Sequence, residues 1–388
     1  MDARSIYMDY QASTPVDLRV IEAMTPYWHE CPGNPHATDH AFGWTAAKAV
    51  EQACEQVASA IAADPDEIVF TSGATEANNL AILGVAARAP RGRRRIIVSA
   101  IEHKSVIAAA HAAAKLNDCK VNVVAVDKEG NVQPDALRQC LADDVLLVSV
   151  MAVNNEIGSI QPIADLAEIT HSFGALFHTD ATQALTAGSF DVQRVDADFA
   201  SLSAHKLYGP KGIGALYIRR DLHRHVEPQV HGGGQQHGLR AGTLPVPLCV
   251  GFGAAIGLLR NADEERQRVR ELRDEFVRQL REALPALALN GPRVISRHPG
   301  NANLLFPRLD ADVLLASLQP HVAASTGSAC TSGTIEPSHV LRAIGLTDDE
   351  ASSSIRFSIG RYTTLDEITH AAVKIAQAVE ATNALWRR

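Results

Sequence analysis

From residue 67 onward, short runs of β-branched and apolar residues alternate with longer stretches whose apolar positions recur at helical spacing. Runs at 68–71, 96–99, 121–126, 145–150, 175–180, 199–202 and 215–218 read as buried strands. Helices are expected from the turn at 72–76 to about 88, from near His103, from Pro134 and from Pro162. This order predicts an α/β fold with a mainly parallel seven-stranded sheet covered on both faces. Ahead of it, a short strand at 6–9, a helix over 17–29, turn chemistry at 31–35 and a helix over 45–62 are expected. Behind it, 261–284 is amphipathic, with Val269, Leu272, Phe276, Leu280 and Leu284 on one face. Apolar runs at 303–306 and 355–359 and a helix from about Leu365 make the remainder α+β. Two domains are expected for a chain of 388 residues: a large one over 17–259, and a smaller one from 1–16 and 260–388.

Composition narrows the class. Hydrophobic residues make up 46% and charged residues 21%, as in an ordinary globular protein. The formal charge of -8 argues against direct nucleic acid binding or attraction to an anionic membrane. The start of the chain shows no basic-then-apolar secretory pattern, and 244–259 is too short and broken to span a bilayer, so no membrane association and a cytoplasmic enzyme are expected. The arginine run at 91–95 reads as a solvated connection. The six cysteines form no CxxC pair, and the spacing of His231 and His237 fits no usual ligand motif, so no metal site is expected. Cys330 stands apart, in a loop of Ser, Thr, Gly and Ala with little bulk to pack.

Candidate chemistry falls where ligands gather in such sheets, beyond the carboxyl ends of the strands: Thr75, His103, Asn155, Asp180 and Lys206. Lys206 follows Ser203 and His205 and precedes a Gly/Pro-rich turn, a setting that suits Schiff-base chemistry, although a lysine in a polar loop is ordinarily just solvated. The turn at 72–76 can present backbone N–H groups and the Thr75 hydroxyl to a phosphate, or serve only as a helix cap. Asp180 reads as a cap, an ion pair, or the partner of a pyridine nitrogen. His103 reads as a helix-start residue, a ring-stacking group or a proton shuttle. Gln183 suits a cofactor oxygen, and Arg356 either a buried ion pair or a clamp on a substrate carboxylate.

Nine motifs in one order carry a resemblance over nearly the whole chain: TSGATEANN at 71–79, EHK at 102–104, VNNEIG at 153–158, HTDATQ at 178–183, SAHKLYGPKG at 203–212, HGGG at 231–234, RAGTLP at 240–245, GSACTS at 327–332 and SIRFS at 354–358. The chain resembles the NifS/IscS cysteine desulfurases, class V enzymes of the fold-type I family dependent on pyridoxal 5'-phosphate (PLP). The resemblance implies that Lys206 binds PLP covalently, Asp180 pairs with the ring nitrogen, Gln183 with the ring oxygen, and His103 stacks on the ring. It implies a phosphate site of Thr75, Ser203 and His205, with Thr243 reaching it from the other subunit of a homodimer. Arg356, with Asn34 and Asn155, would hold L-cysteine. Lys206 would move the Cα proton, and the Cys330 thiolate, with a base such as His103, would take the sulfur as a persulfide, leaving L-alanine. A sulfur-acceptor protein would follow, in iron–sulfur cluster assembly, tRNA thiolation or DNA phosphorothioation. The longer-loop form around Cys330 points to the IscS/NifS group. The chain ends at 388, shortly after its last helix, where housekeeping IscS-type enzymes carry a tail that helps dock a scaffold, so that partner is placed in doubt. Selenocysteine lyase or another class V aminotransferase is the alternative activity, and a noncatalytic sulfur carrier is the reading from outside enzymology.

Overall fold

The structure, a computed structural model, describes residues 5–259, 262–293, 296–327 and 336–386. Its strands in chain order are β1 (Ile6–Tyr7), β2 (Ile68–Thr71), β3 (Arg95–Ser99), β4 (Lys120–Val124), β5 (Val145–Ser149) and β6 (Leu176–Asp180), then β7 (Phe199–Ser203), β8 (Gly214–Ile218), β9 (Ala288–Leu289), β10 (Asn301–Leu305), β11 (Val322–Ala323) and β12 (Ser354–Ser358). Seven of them form one sheet in the order β2-β8-β7-β6-β5-β3-β4. Only β8 runs against its neighbours; the other pairings are parallel.

Apart from the edge strand β4, which exposes Lys120, Asn122 and Val123, the strands are buried on both faces because both faces are covered. Successive residues feed opposite cores: Ile96, Val98, Leu147 and Phe199 join one, and Ile97, Val148 and Ala200 the other. Helices Ala74–Ala87 and Lys104–Asn117 pack over the first, through Leu80 and Val106. Helices Ala41–Ala60, Ile163–Ser172 and Val246–Gly257 cover the second, through Val57, Leu166 and Phe252. Each Leu, Ile or Phe so buried contributes on the order of 2 kcal/mol.

A separate antiparallel sheet, ordered β12-β10-β9, has its own core with helices Asp263–Ala283 and Leu365–Trp386, where Phe276, Leu304, Phe357 and Ile375 meet. The start of the chain belongs to this core. β1 pairs with β11, and Met8 is fully buried there.

Two helices differ from the sequence expectation. The stretch 17–29 is two helices, Leu18–Met24 and Pro26–His29, because Pro26 has no N–H to continue the first. The helix expected from 45 begins at Ala41, since His40 Nδ1 accepts the Gly43 N–H and caps it.

Candidate active site

The ends of β2, β3, β5, β6 and β7 converge on one cavity of about 560 Å³. Polar residues at or just beyond the carboxyl ends of these strands sit at the rim. β2 delivers Thr75, β3 delivers His103, and β5 delivers Asn155. β6 delivers Asp180 and Gln183, and β7 delivers Ser203, His205 and Lys206. Arg356 reaches the same cavity from β12 of the second sheet.

One wall is built for an anion. The helix Ala74–Ala87 starts here with Gly73 at its cap, which makes no side-chain capping bond, so the positive end of a four-turn helix faces the cavity. Gly73 has φ +152°, and a Cβ built on it would meet nothing within 4 Å, which leaves open space over the backbone. A Cβ at Gly214 would lie 2.7 Å from the Gly73 Cα, so β8 can approach this turn only with glycine at 214. His205 is held down to about 4, chiefly by burial and then by the Lys206 and Lys211 charges, so it stays neutral in a locally cationic corner. Glu76 ties this corner to the following loop: it accepts Ser72 N–H at 2.7 Å and pairs with Arg240 at 2.8 Å.

The floor is a buried polar network. Asp180, 4% exposed, accepts Thr182 N–H on Oδ1 and the Asn78 amide on Oδ2 at 2.9 Å. Beneath it His178 bridges Ser149 and Ser201 across three adjacent strands, at 2.7 and 3.1 Å. Burial lowers the His178 pKa to about 4, against the pull of Asp180. Glu102 is fully buried and accepts the Ser99 hydroxyl and the Met151 N–H on Oε1; its Oε2 has no hydrogen-bond partner. Burial, with a further contribution from the Asp180 charge, pushes this carboxyl up to about 8.

The N-terminal segment threads across the opening. Lys206 Nζ donates to the Gln11 and Ala12 carbonyls, each at 2.7 Å, and Gln183 Nε2 donates to the Gln11 carbonyl. Thr14 accepts Tyr208 N–H and donates to the His205 carbonyl, fixing the turn in which Tyr208 takes φ +62°. Arg356 Nη2 donates to Asp9 and to the Ser325 hydroxyl, both at 2.7 Å, and Nη1 donates to the Asn155 carbonyl; Nε is buried without a hydrogen-bond partner. Arg356 thus forms an ion pair with Asp9 at the cavity wall.

Two residues singled out from sequence lie outside this cavity. Asn34 is exposed in a turn, its Oδ1 accepting His36 N–H. Thr243 is exposed, three residues after the Arg240 that pairs with the anion corner. Cys330 lies outside the described residues. Sequence reasoning passed over Asn78, Ser105, His178 and Glu102. The available signal was a polar residue in an otherwise apolar setting: Asn78 has Ala74, Ala81 and Ile82 at helical spacing, and His178 lies in the middle of a buried strand.

The donor set fits pyridoxal phosphate. An anion corner with open backbone, a buried carboxylate on the floor and a lysine amine share one cavity.

The pattern of the aminotransferase class-V family matches residues 6–370. The cysteine desulfurase IscS of Anaeromyxobacter sp. (strain Fw109-5) is 45% identical over 375 residues, covering 96% of this chain and 92% of that protein. The solved structure of a NifS-like protein superposes with a TM-score of 0.90 at 34% identity, covering 97% of this chain and 99% of that one. A solved structure of SspA in complex with cysteine superposes with a TM-score of 0.82 at 34% identity, over 93% and 100% of the two chains. With matches running the length of both sheets and through every wall of the cavity, the chain belongs to the cysteine desulfurases of aminotransferase class V.

Proposed function

We propose that this cavity takes L-cysteine and divides the work of removing its sulfur between Lys206 and Cys330. The observation that carries the reading is the grouping of an anion corner, the Asp180 carboxylate, the Lys206 amine and the Arg356 guanidinium around one space. Thr75, Ser203 and His205 would hold the phosphate of the cofactor, Asp180 would keep a proton on its ring nitrogen, Gln183 would hold its ring oxygen and Lys206 would tether it. Bound there, pyridoxal phosphate supplies an electron sink for the pair left behind when a Cα proton departs. Lys206 Nζ moves that proton. Arg356, with Asn155 beside it, orients the substrate carboxylate. The Cys330 thiolate attacks the substrate sulfur: an S–S bond forms, the Cβ–S bond breaks and Cβ takes a proton, giving L-alanine and a persulfide. An acceptor protein then takes the outer sulfur.

A homodimer completes the site in this reading. Thr243 and Asn34 stand exposed on one chain, available to the cavity of a second copy. Leu18, Trp28, Phe42 and Trp44 are more than half exposed, on three helices that pack together on Val246–Gly257. The chain works as two units, 17–259 and 1–16 with 260–388. Among the described residues no helix is long and apolar enough to cross a membrane, and a cytoplasmic place of action is proposed with the rest.

The test is alanine release from L-cysteine by the PLP-loaded enzyme, together with the mass of the peptide containing Cys330. The reading expects alanine and one added sulfur on that peptide, and the loss of both in Cys330→Ala. Alanine formed at an unchanged rate by Cys330→Ala would overturn the role of Cys330.

A further inference from the structure

Behind the cavity wall, an unbroken chain of hydrogen bonds joins Asp180 to His103. Asn78 is fully buried on the helix Ala74–Ala87. Its Nδ2 donates to Asp180 Oδ2 and to Ser105 Oγ, each at 2.9 Å, while its Oδ1 has no hydrogen-bond partner. Ser105 Oγ lies 2.8 Å from His103 Nδ1, and Ser105 N–H donates to the same ring nitrogen at 3.1 Å. His103 caps the helix Lys104–Asn117 through this contact, and its ring lines the cavity.

The direction of every bond in the chain follows from its two ends. A carboxylate only accepts, so the amide must turn its nitrogen toward Asp180. The second amide hydrogen then points at Ser105 Oγ, which must accept it. The Ser105 hydroxyl hydrogen is left for His103 Nδ1. A backbone N–H also only donates, and it meets the same Nδ1. With two donors converging on it, Nδ1 carries no hydrogen, and the ring hydrogen sits on Nε2. The unpartnered Asn78 Oδ1 fits the same account: a buried amide oxygen is left unsatisfied so that both amide hydrogens can be used.

We propose that Asn78 and Ser105 are positioning residues that lock His103 in the Nε2–H tautomer, so that it presents a hydrogen-bond donor, rather than a base, to the cavity. The lock is electrostatic and is not a proton wire, because the Asn78 amide gives up no proton. It is set by the carboxylate that faces the cofactor ring in the proposed function, and only its consequence for catalysis rests on that reading. The donor suits an electron-rich atom of the bound substrate. Activation of the Cys330 thiol by His103 is then not available, and that proton must leave to another acceptor.

The test is a long-range proton–nitrogen NMR correlation on PLP-loaded enzyme labelled with ¹⁵N-histidine, with His103 assigned by difference from His103→Gln. The proposal expects one Nδ1 resonance at the unprotonated end of its range and Nε2 at the protonated end. Asn78→Leu removes the amide that turns the Ser105 hydroxyl hydrogen toward Nδ1, while the Ser105 N–H stays in place, and the tautomer ratio should move toward Nδ1–H by up to about tenfold, the equivalent of one net hydrogen bond. Ser105→Thr keeps the hydroxyl and should retain the wild-type pattern. A protonated Nδ1 in the wild-type enzyme overturns the proposal without any variant having to fold, as does an unchanged ratio in a folded Asn78→Leu. Alanine release from L-cysteine, measured on the same samples, tests the proposed function separately.

Discussion

Glu102→Gln is the substitution whose effect can be worked furthest from the structure. The Glu102 carboxyl is fully buried, and its folded pKa stands at about 8 against an ordinary 4.5. A carboxyl with a raised folded pKa holds its proton more tightly in the folded state. Its stabilising contribution is complete below about pH 4.5 and is lost as pH climbs through about 8. The rise corresponds to roughly 5 kcal/mol over the whole range and about 2 kcal/mol between about pH 6 and about pH 8. Full burial leaves no solvent screening to reduce it. Glutamine keeps the oxygen that receives the Ser99 hydroxyl and the Met151 N–H, and it does not titrate. Urea unfolding of the PLP-loaded wild type and Glu102→Gln, in steps from about pH 5 to about pH 9, should therefore show the wild type falling behind as pH rises. The gap between the two should widen by about 2 kcal/mol across the middle two steps of pH. Parallel curves would refute the reasoning, since they would mean that Glu102 carries the same charge folded and unfolded.

Arg356→Lys removes the fork that holds Asp9, Ser325 and the Asn155 carbonyl; KM for L-cysteine should rise about 10- to 100-fold with cofactor absorbance retained, read by steady-state kinetics. Gly327→Ala places a methyl group on the buried Glu156 carboxyl. It should cost about 1–3 kcal/mol in urea unfolding and slow alanine release, because Gly327 leads directly into the segment that carries Cys330.

Most of the fold was legible because most strands of the main sheet hold an apolar run bounded by turn residues, as at Ile68–Thr71 and Val145–Ser149, which are buried on both faces. The break at Thr25 was legible in principle from Pro26, but a helical apolar spacing on either side hid it. The residues at strand ends were legible too, since position after a strand is a local property. Asn78, Ser105, His178 and Glu102 were not. Each is polar inside an apolar context, and its meaning lies in a partner far along the chain: 102 residues separate Asn78 from Asp180, and 49 separate Glu102 from Met151. Asn34 and Thr243 mark a different boundary. Both are exposed on the surface of one chain, away from the cavity, and that placement follows from the fold rather than from the residues around them.

The threading of residues 9–14 across the cavity has a consequence for how the protein is made. Gln11 and Ala12 hold Lys206 across about half the chain, and Asp9 meets Arg356 across 347 residues. A ribosome delivers these carbonyls and this carboxylate almost first and their partner Arg356 almost last. The main sheet can be complete, with both faces covered, while the opening of its cavity is still unframed. Closing it requires the longest loops in the molecule to be brought together, and loop closure of that length is slow. Assembly of the cavity is therefore the late event of synthesis. A tag or deletion that reaches Asp9 alters the catalytic chamber itself, though it touches the chain at the end farthest in sequence from Arg356.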